Sequence, residues 1–158
     1  MLPITLLSTL LPALLWSAPL MNKPVNIPVP GARDLEGQLS LPGGAGPWPA
    51  IVIASGSNYP KEGAIMAAMT EQAVAAGWAV LTFDWSYTTY GGSPSSGRKR
   101  EKSELQAALD LLLSKDGIAA GKTVVAGKSL GSALGPGVAY SSPIWLSRTA
   151  SPSPRSVI

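Results

Sequence analysis

Three short apolar runs divide the middle of the chain, and each ends at small or polar residues. The runs cover residues 50–54, 79–83 and 123–126, and β-branched runs of this length between turn residues are typical of buried parallel strands. Residues 63–76 and 101–115 lie between them and repeat apolar side chains at helical spacing. The order strand, helix, strand, helix, strand predicts right-handed crossover connections in a parallel sheet, and therefore an α/β fold.

Each predicted helix has a defined apolar face. Five apolar side chains of the first helix share one face: Ile65, Met66, Met69, Ala73 and Ala76. Gly77 follows at the position of a left-handed C-terminal cap. The second helix places four apolar side chains together: Leu105, Ala108, Leu109 and Leu112. Its acidic residues lie near the start of the helix and Lys115 lies at its end, which is the arrangement that the helix dipole favours. The basic run 98–102 is interpreted as a solvated helix start.

Residues 1–20 are almost wholly apolar and carry no charged side chain. Three interpretations stay open: an upstream extension of the reading frame with Met21 as the true start, a secretory signal, or a membrane anchor. Three prolines interrupt the segment, and the early positive charge of a secretory signal is missing. We therefore expect a cytoplasmic protein, with secretion or membrane anchoring as the alternative. Membrane contact is expected only if residues 2–20 are retained as an anchor.

Proline and glycine mark the limits of the predicted domain. Residues 21–49 form a Pro/Gly-rich lead-in with one short strand at 35–41. A partial α/β domain follows at 50–135, and Asp84 ends its second strand, where a cap for the next turn is expected. Residues 136–158 are an irregular Ser/Pro-rich tail without a further strand–helix unit. The C-terminal half of the predicted α/β fold is therefore incomplete.

Composition narrows the chemistry that these residues can perform. Twelve basic and nine acidic side chains give a net charge of +3, and the basic patch is too small to imply nucleic acid. The absence of Cys excludes disulfides, zinc–thiolate sites and thiol nucleophiles. The absence of His removes the commonest general base and the commonest neutral metal ligand.

The sequence Gly-Lys-Ser-Leu-Gly at 127–131 follows the third predicted strand directly and precedes a predicted helix. In a nucleophile elbow, the chain turns sharply from strand to helix, and strained backbone dihedrals lift the central Ser hydroxyl out of the turn. Its neighbours two residues away must be small, as Gly127 and Gly131 are. Ser129 is therefore the candidate nucleophile. A P-loop is excluded, because Lys122 occupies the position of its first glycine.

An acyl-transfer site also needs N–H donors for the developing oxyanion. These donors are commonly the N–H after the nucleophile and one from the loop that follows the first strand. In this sequence they would be the backbone N–H groups of Leu130 and Ser57. Because both loops leave the carboxyl ends of neighbouring parallel strands, we expect them to meet in space.

Residues 51–131 resemble the first half of a small α/β-hydrolase of the dienelactone-hydrolase-like branch. The matching pieces are IVIASGS for the oxyanion strand and loop, GWAVLTFD for the next strand, and VVAGKSLG for the elbow. The resemblance implies a partial α/β-hydrolase fold, a small-molecule substrate with an ester, lactone or similar acyl bond, a seryl intermediate, and neither metal nor cofactor. Its members usually have His-Gly where this chain has Ser55-Gly56, and they supply an acid and a catalytic His after the elbow.

No acid and no His follows Ser129 in this sequence. An unactivated Ser hydroxyl is a poor nucleophile, because it needs a base that a third group positions. Lys128 is adjacent, but side chains that flank the nucleophile of an elbow are expected to point away from it. We therefore expect a truncated serine hydrolase with little or no turnover. The alternative is a non-catalytic binding or scaffold module on a hydrolase-like sheet.

Overall fold

Residues 21–139 are described by a computed structural model, and strands and helices account for most of them. The five strands of this part are β1 (Met21–Ile27), β2 (Leu35–Leu41), β3 (Trp48–Ala54), β4 (Ala79–Phe83) and β5 (Ile118–Gly127). The four α-helices are α1 (Ala64–Ala75), α2 (Ser86–Tyr90), α3 (Lys99–Ser114) and α4 (Leu130–Ala139), and a 3-10 turn at Ser96–Arg98 precedes α3.

The five strands form one mixed sheet in the order β1-β2-β4-β3-β5. Strands β4, β3 and β5 are parallel, with Val52 between Leu81 on one side and Val125 on the other. This confirms the predicted parallel core of an α/β fold. The hairpin of β1 and β2 joins the edge of β4 in antiparallel orientation.

Alternating residues of the central strands build a core on each face of the sheet. Val52 of β3 and Leu81 of β4 belong to the larger core, which α3 and α4 cover. Ile53 follows Val52 and Val80 precedes Leu81, so both side chains point to the opposite face of the sheet. There they join the smaller core under α1. Because side chains of a strand alternate between faces, a near-continuous apolar run is what a strand buried on both faces requires.

Helix α1 buries only part of the predicted face: Met66 is buried, and Met69 and Ala73 pack partly buried against the smaller core. Its buried side chains are Met66, Thr70 and Val74, spaced four apart, whereas Ile65 is 48% exposed. Thr70 can be buried because its hydroxyl donates to the Met66 carbonyl at 2.8 Å. Ala76 is exposed and follows the helix. A pattern of apolar residues does not reveal a buried Thr whose hydroxyl donates a hydrogen bond within its own helix.

Two further helix predictions are confirmed, the cap after α1 and the apolar face of α3. Gly77 has a φ of +85° and its N–H donates to the Val74 carbonyl, while the Trp78 N–H donates to the Ala73 carbonyl. These two bonds make the left-handed C-terminal cap that glycine favours. All four predicted face residues of α3 are buried: Leu105, Ala108, Leu109 and Leu112.

The lead-in and the start of the tail are more regular than predicted. The predicted strand at 35–41 is present as β2, and β1 pairs with it along its whole length. Strand β1 is mostly exposed and contains Pro24, which an edge strand tolerates. Helix α4 continues to Ala139, beyond the predicted start of the tail at 136. The predictions for residues 1–20 and 140–158 fall outside the described residues.

Candidate active site

Ser129 stands at the turn between the last residue of β5 and the first residue of α4. Its φ is +51°, a left-handed conformation that costs a non-glycine residue about 1 kcal/mol or more. The residue is exposed. Gly131 N–H donates to the Lys128 carbonyl and Ala133 N–H to the Ser129 carbonyl, so the turn leads directly into the helix. This strained strand-to-helix turn has the backbone form of a nucleophile elbow.

Both glycines of the motif occupy positions with no room for a side chain. A Cβ added at Gly127 would lie 2.6 Å from the Gly131 carbonyl carbon and 2.8 Å from the Ala54 carbonyl oxygen. A Cβ added at Gly131 would collide with that same Ala54 oxygen. The structure therefore shows the steric crowding for which the sequence motif predicts glycine at these two positions.

The loop that follows β3 lies against the elbow. A Cβ at Gly56 would stand 3.6 Å from the Ser129 Cβ and 3.5 Å from the Lys128 carbonyl oxygen. The Lys128 N–H donates to the Ala54 carbonyl at 3.1 Å. The structure thus brings together the two loops that hold Ser57 and Leu130. The role of these two N–H groups as oxyanion donors stays a prediction.

The Lys128 side chain extends toward the loop after β3. Its ammonium lies 4.6 Å from the centre of the Tyr59 ring, a cation–π distance. Within residues 21–139, Lys128 Nζ forms no hydrogen bond with the Ser129 hydroxyl. The geometry therefore gives no Ser–Lys pair between these neighbours.

Two contacts from the end of β4 hold the loop after β3. Trp85 Nε1 donates to the Ser55 carbonyl at 3.0 Å, and Asp84 accepts from both the N–H and the ammonium of Lys61, at 2.7 and 2.8 Å. Burial alone lowers the pKa of Lys61, but hydrogen bonds to Asp84 and Glu62 outweigh it and raise that pKa. Asp84 is thus an ion-pair partner rather than the predicted cap of the next turn.

The basic side chains at the start of α3 are exposed at Arg98, Lys99 and Lys102, as predicted for a solvated helix start, but a buried polar network lies beneath them. The side chain of Glu101 is fully buried and accepts from Ser95 N–H at 2.8 Å and Ser95 Oγ at 2.6 Å. Glu104, also buried, accepts from the Ser86 hydroxyl, and Arg100 lies beside both carboxylates at 3.0 and 3.6 Å. The sequence does carry a signal, because Glu101 lies four residues before Leu105 and Glu104 lies four residues before Ala108, another residue of the predicted apolar face.

The two buried carboxylates differ in their pKa. Burial raises the pKa of Glu104, and the Ser86 hydrogen bonds only partly oppose that effect. Burial also acts on Glu101, but its two hydrogen bonds from Ser95 outweigh burial and hold its pKa below the usual range. Tyr87, whose buried hydroxyl lies near the Ser57 side chain, has a pKa raised mainly by burial. These groups support the loop that follows β4.

Two features are absent from residues 21–139. No three Asp or Glu side chains in this part are grouped closely enough to hold a metal ion. None of its helices combines the length and the apolar character that a membrane span requires.

Neither protein-family models nor curated proteins match this sequence, but the fold is similar to many solved structures. The dienelactone hydrolase from Anabaena variabilis superposes with a TM-score of 0.63 at 21% identity, over 78% of this chain and 59% of that protein. The thermostable carboxylesterase EstE1 from a metagenomic library gives 0.63 at 20% identity, over 77% and 42%. A dienelactone hydrolase-like promiscuous phosphotriesterase from metagenomic libraries gives 0.62 at 20% identity, over 76% and 54%.

These similarities extend over most of this chain but only part of each solved structure. The chain spans between about a third and three fifths of the length of the proteins that it matches. At these identities the similarity concerns the fold. Together with the sheet order and the strained serine turn, it shows that the chain has a partial α/β-hydrolase fold of the kind found in esterases and dienelactone hydrolases.

Proposed function

We propose that Ser129 is the nucleophile of a serine hydrolase that cleaves esters, lactones or similar acyl bonds of small molecules. The observation that carries this proposal is the strained backbone of Ser129 at φ +51°, enforced between two positions that accept only glycine. A structure holds a polar residue in such a conformation at a cost, and such costs concentrate at functional sites. The solved structures with this fold include carboxylesterases and a dienelactone hydrolase, which supports the same reaction class.

In the proposed reaction, Ser129 Oγ forms a bond with the carbonyl carbon, and the carbonyl π electrons move to oxygen. The hydroxyl proton passes to a base, and collapse of the tetrahedral intermediate expels the alkoxide, which takes up that proton. Water then hydrolyses the seryl ester by the same steps. The N–H groups of Ser57 and Leu130 would stabilise the oxyanion. We propose no metal and no cofactor.

The 158 residues include no His, the residue that most often serves as the base of this reaction. The proposal is therefore that the chain alone has little turnover, and that added imidazole restores acylation of Ser129. The test is to treat the purified chain with p-nitrophenyl acetate, with and without imidazole, and to locate the acetyl group by peptide mass spectrometry. We expect imidazole-dependent acetylation at Ser129, its loss in Ser129→Ala, and no effect of Ser103→Ala, an exposed serine of α3.

A non-catalytic binding or scaffold module is the second candidate, and the absence of His favours it. The same experiment separates the two. Acetylation that is spread over several hydroxyl groups, or that is equal in wild type and Ser129→Ala, contradicts the hydrolase and supports the binding module. Strong labelling of Ser129 by a fluorophosphonate probe without imidazole contradicts the low turnover instead.

A further inference from the structure

The sheet face that α1 covers is apolar under the helix and polar beyond it. Ile53 and Val80 belong to the smaller core on this face. Thr82, two residues after Val80, shares the face and pairs with Gln38 of β2, which pairs in turn with Pro24 of β1. The same register places further polar residues on this face: Asn22 and Asn26 of β1, and Glu36 and Ser40 of β2. An antiparallel hairpin commonly presents such a face to water.

A cavity lies over this polar face, between the hairpin and the start of α1. Its inner part, of about 190 Å³, reaches Thr82 at the sheet and Thr70 and Glu71 of α1. Its outer part, of about 560 Å³, extends over the hairpin and has a volume typical of small-molecule sites. Four residues line both parts: Asn22, Gln38, Lys61 and Glu62.

The floor of the inner cavity carries a buried hydroxyl without a partner. Thr82 is 3% exposed, and its hydroxyl forms no hydrogen bond within residues 21–139. Thr70, on the opposite wall, is also buried, but its hydroxyl donates to the Met66 carbonyl. The Gln38 amide beside Thr82 likewise has no hydrogen bond in this part of the chain. Because buried polar groups normally have partners, the Thr82 hydroxyl indicates a ligand in the cavity.

The charge of the cavity walls is negative. Three carboxylates, those of Glu36, Glu62 and Glu71, line it together with one ammonium, that of Lys61. Lys61 Nζ is already held by Asp84 and Glu62 at 2.8 Å each. Glu36 and Glu71 form no ion pair within the described residues. The acidic side chains of this part are not grouped closely enough for a metal ion, so the charge favours an organic cation, whose ammonium makes strong hydrogen bonds to carboxylates.

We infer that this cavity binds a small organic cation that also carries hydroxyl groups, of the amino sugar class. Its ammonium would lie between the carboxylates of Glu62 and Glu71, and its hydroxyl groups would exchange hydrogen bonds with Thr82 and Gln38. None of these residues belongs to the elbow, so the inference does not depend on the proposed hydrolase activity of Ser129.

Three probes separate the charge of the ligand from its hydroxyl groups. Glucosamine as its protonated cation, neutral glucose, and cyclohexylammonium, which has no hydroxyl groups, are titrated into the full chain at low salt. The amide signals of Gln38 and Thr82 are followed by NMR. We expect saturable shifts with glucosamine and about fivefold weaker binding of each of the other two. Equal binding of any two of these probes, or no shift with glucosamine, which would leave a cavity filled by water only, overturns the inference.

Thr82→Val tests the buried hydroxyl, because valine keeps the shape of threonine. We expect about fivefold weaker binding of glucosamine. We also expect no loss of stability without ligand, since the hydroxyl has no protein partner to lose; a merely structural Thr82 would give the reverse result. Thr88→Val is the matched control, because the Thr88 hydroxyl is also unpartnered but does not line the cavity. Equal binding by the two variants contradicts the inference.

Glu71→Gln tests the charge at an exposed position, where the variant is expected to fold. The preference for glucosamine over glucose should fall about threefold. Asp116→Asn removes an exposed acid that does not line the cavity and should leave the preference unchanged. If Glu71→Gln keeps the full preference, the inference is wrong, whether or not Thr82→Val folds.

Discussion

The elbow and the start of α3 both hold polar groups near the carboxyl end of the sheet, but by different means. At the elbow, Ser129 is held by backbone sterics, with two glycines packed against the Ala54 carbonyl. At the start of α3, Glu101 and Glu104 are held by side-chain hydrogen bonds from residues 6 and 18 positions away. The first region depends on five consecutive residues and one carbonyl of the neighbouring strand β3, and the second depends on side-chain partners distributed over the chain. A steric requirement on neighbouring residues therefore leaves a recognisable motif in the sequence, whereas a tertiary polar network does not.

The largest loss of stability is expected from Gly131→Ala, because it adds a methyl group at a position of the elbow that has no room for one. Its new methyl group would collide with the Ala54 carbonyl oxygen, a backbone atom that cannot move without disrupting β3. We expect a loss of about 4 kcal/mol in the free energy of unfolding, measured by urea denaturation. Gly121→Ala is the control, because a Cβ there meets nothing within 4 Å. Equal effects of the two substitutions would contradict the steric account.

The network at α3 is tested by Glu101→Gln, which keeps the size of the side chain and removes its charge. The carboxylate accepts from the Ser95 N–H and hydroxyl and lies 3.0 Å from Arg100. A neutral amide accepts fewer bonds and leaves a buried donor unsatisfied, so we expect a loss of about 2 kcal/mol. Glu71→Gln, at an exposed position of α1, should change stability little. A loss no larger than that of the control would show that the network contributes no stability.

Ser129→Gly should have the opposite effect on the elbow and stabilise the protein. Glycine adopts the φ of +51° without strain, so we expect a gain of about 1 kcal/mol from thermal or urea denaturation. Ser129→Ala keeps the Cβ and with it the strain, so it should give no comparable gain. If both variants behave alike, the backbone of Ser129 is not strained.

The smallest effect concerns pH and separates the two buried glutamates. The raised pKa of Glu104 means that the folded state holds the proton more tightly, so its contribution to stability falls as pH rises above about 4.5. Glu101 has a lowered pKa, so its contribution is present above about pH 4.5 and is lost below it as the carboxylate is protonated. Glu104→Gln should therefore flatten the pH dependence of stability above pH 4.5 while leaving the low-pH loss in place. An unchanged slope above pH 4.5 in this variant would contradict the raised pKa.

The parallel core and the elbow were predictable because their causes are local. Buried strands such as β4 consist of apolar residues apart from a single Thr, and the Gly-x-Ser-x-Gly spacing itself indicates where only glycine fits. The loop contact at Gly56 also followed from topology, since parallel strands bring their carboxyl ends together. These features needed only residue type and order.

The missed features depend on partners that the sequence does not reveal. Strand β1 is mostly exposed, has no continuous apolar run, and owes its conformation to pairing with β2. Thr70 is buried because its hydroxyl finds the Met66 carbonyl, and Asp84 binds Lys61 from the neighbouring loop. In each case a tertiary contact overrides the local preference.

The sheet order also constrains how the chain folds. Strand β2 is made before β3 and β4, yet it pairs with β4, so Leu39 meets Leu81 only after about forty intervening residues have been placed. The hairpin of β1 and β2 needs only local contacts, whereas its pairing with β4 requires the closure of a much longer loop, which slows folding. During synthesis, the inner edge of this hairpin therefore stays unpaired until β4 has been made, and an unpaired strand edge is open to association with other chains. Conditions that slow the docking of β4, rather than those that weaken the finished core, should govern how much of this protein is lost to aggregation.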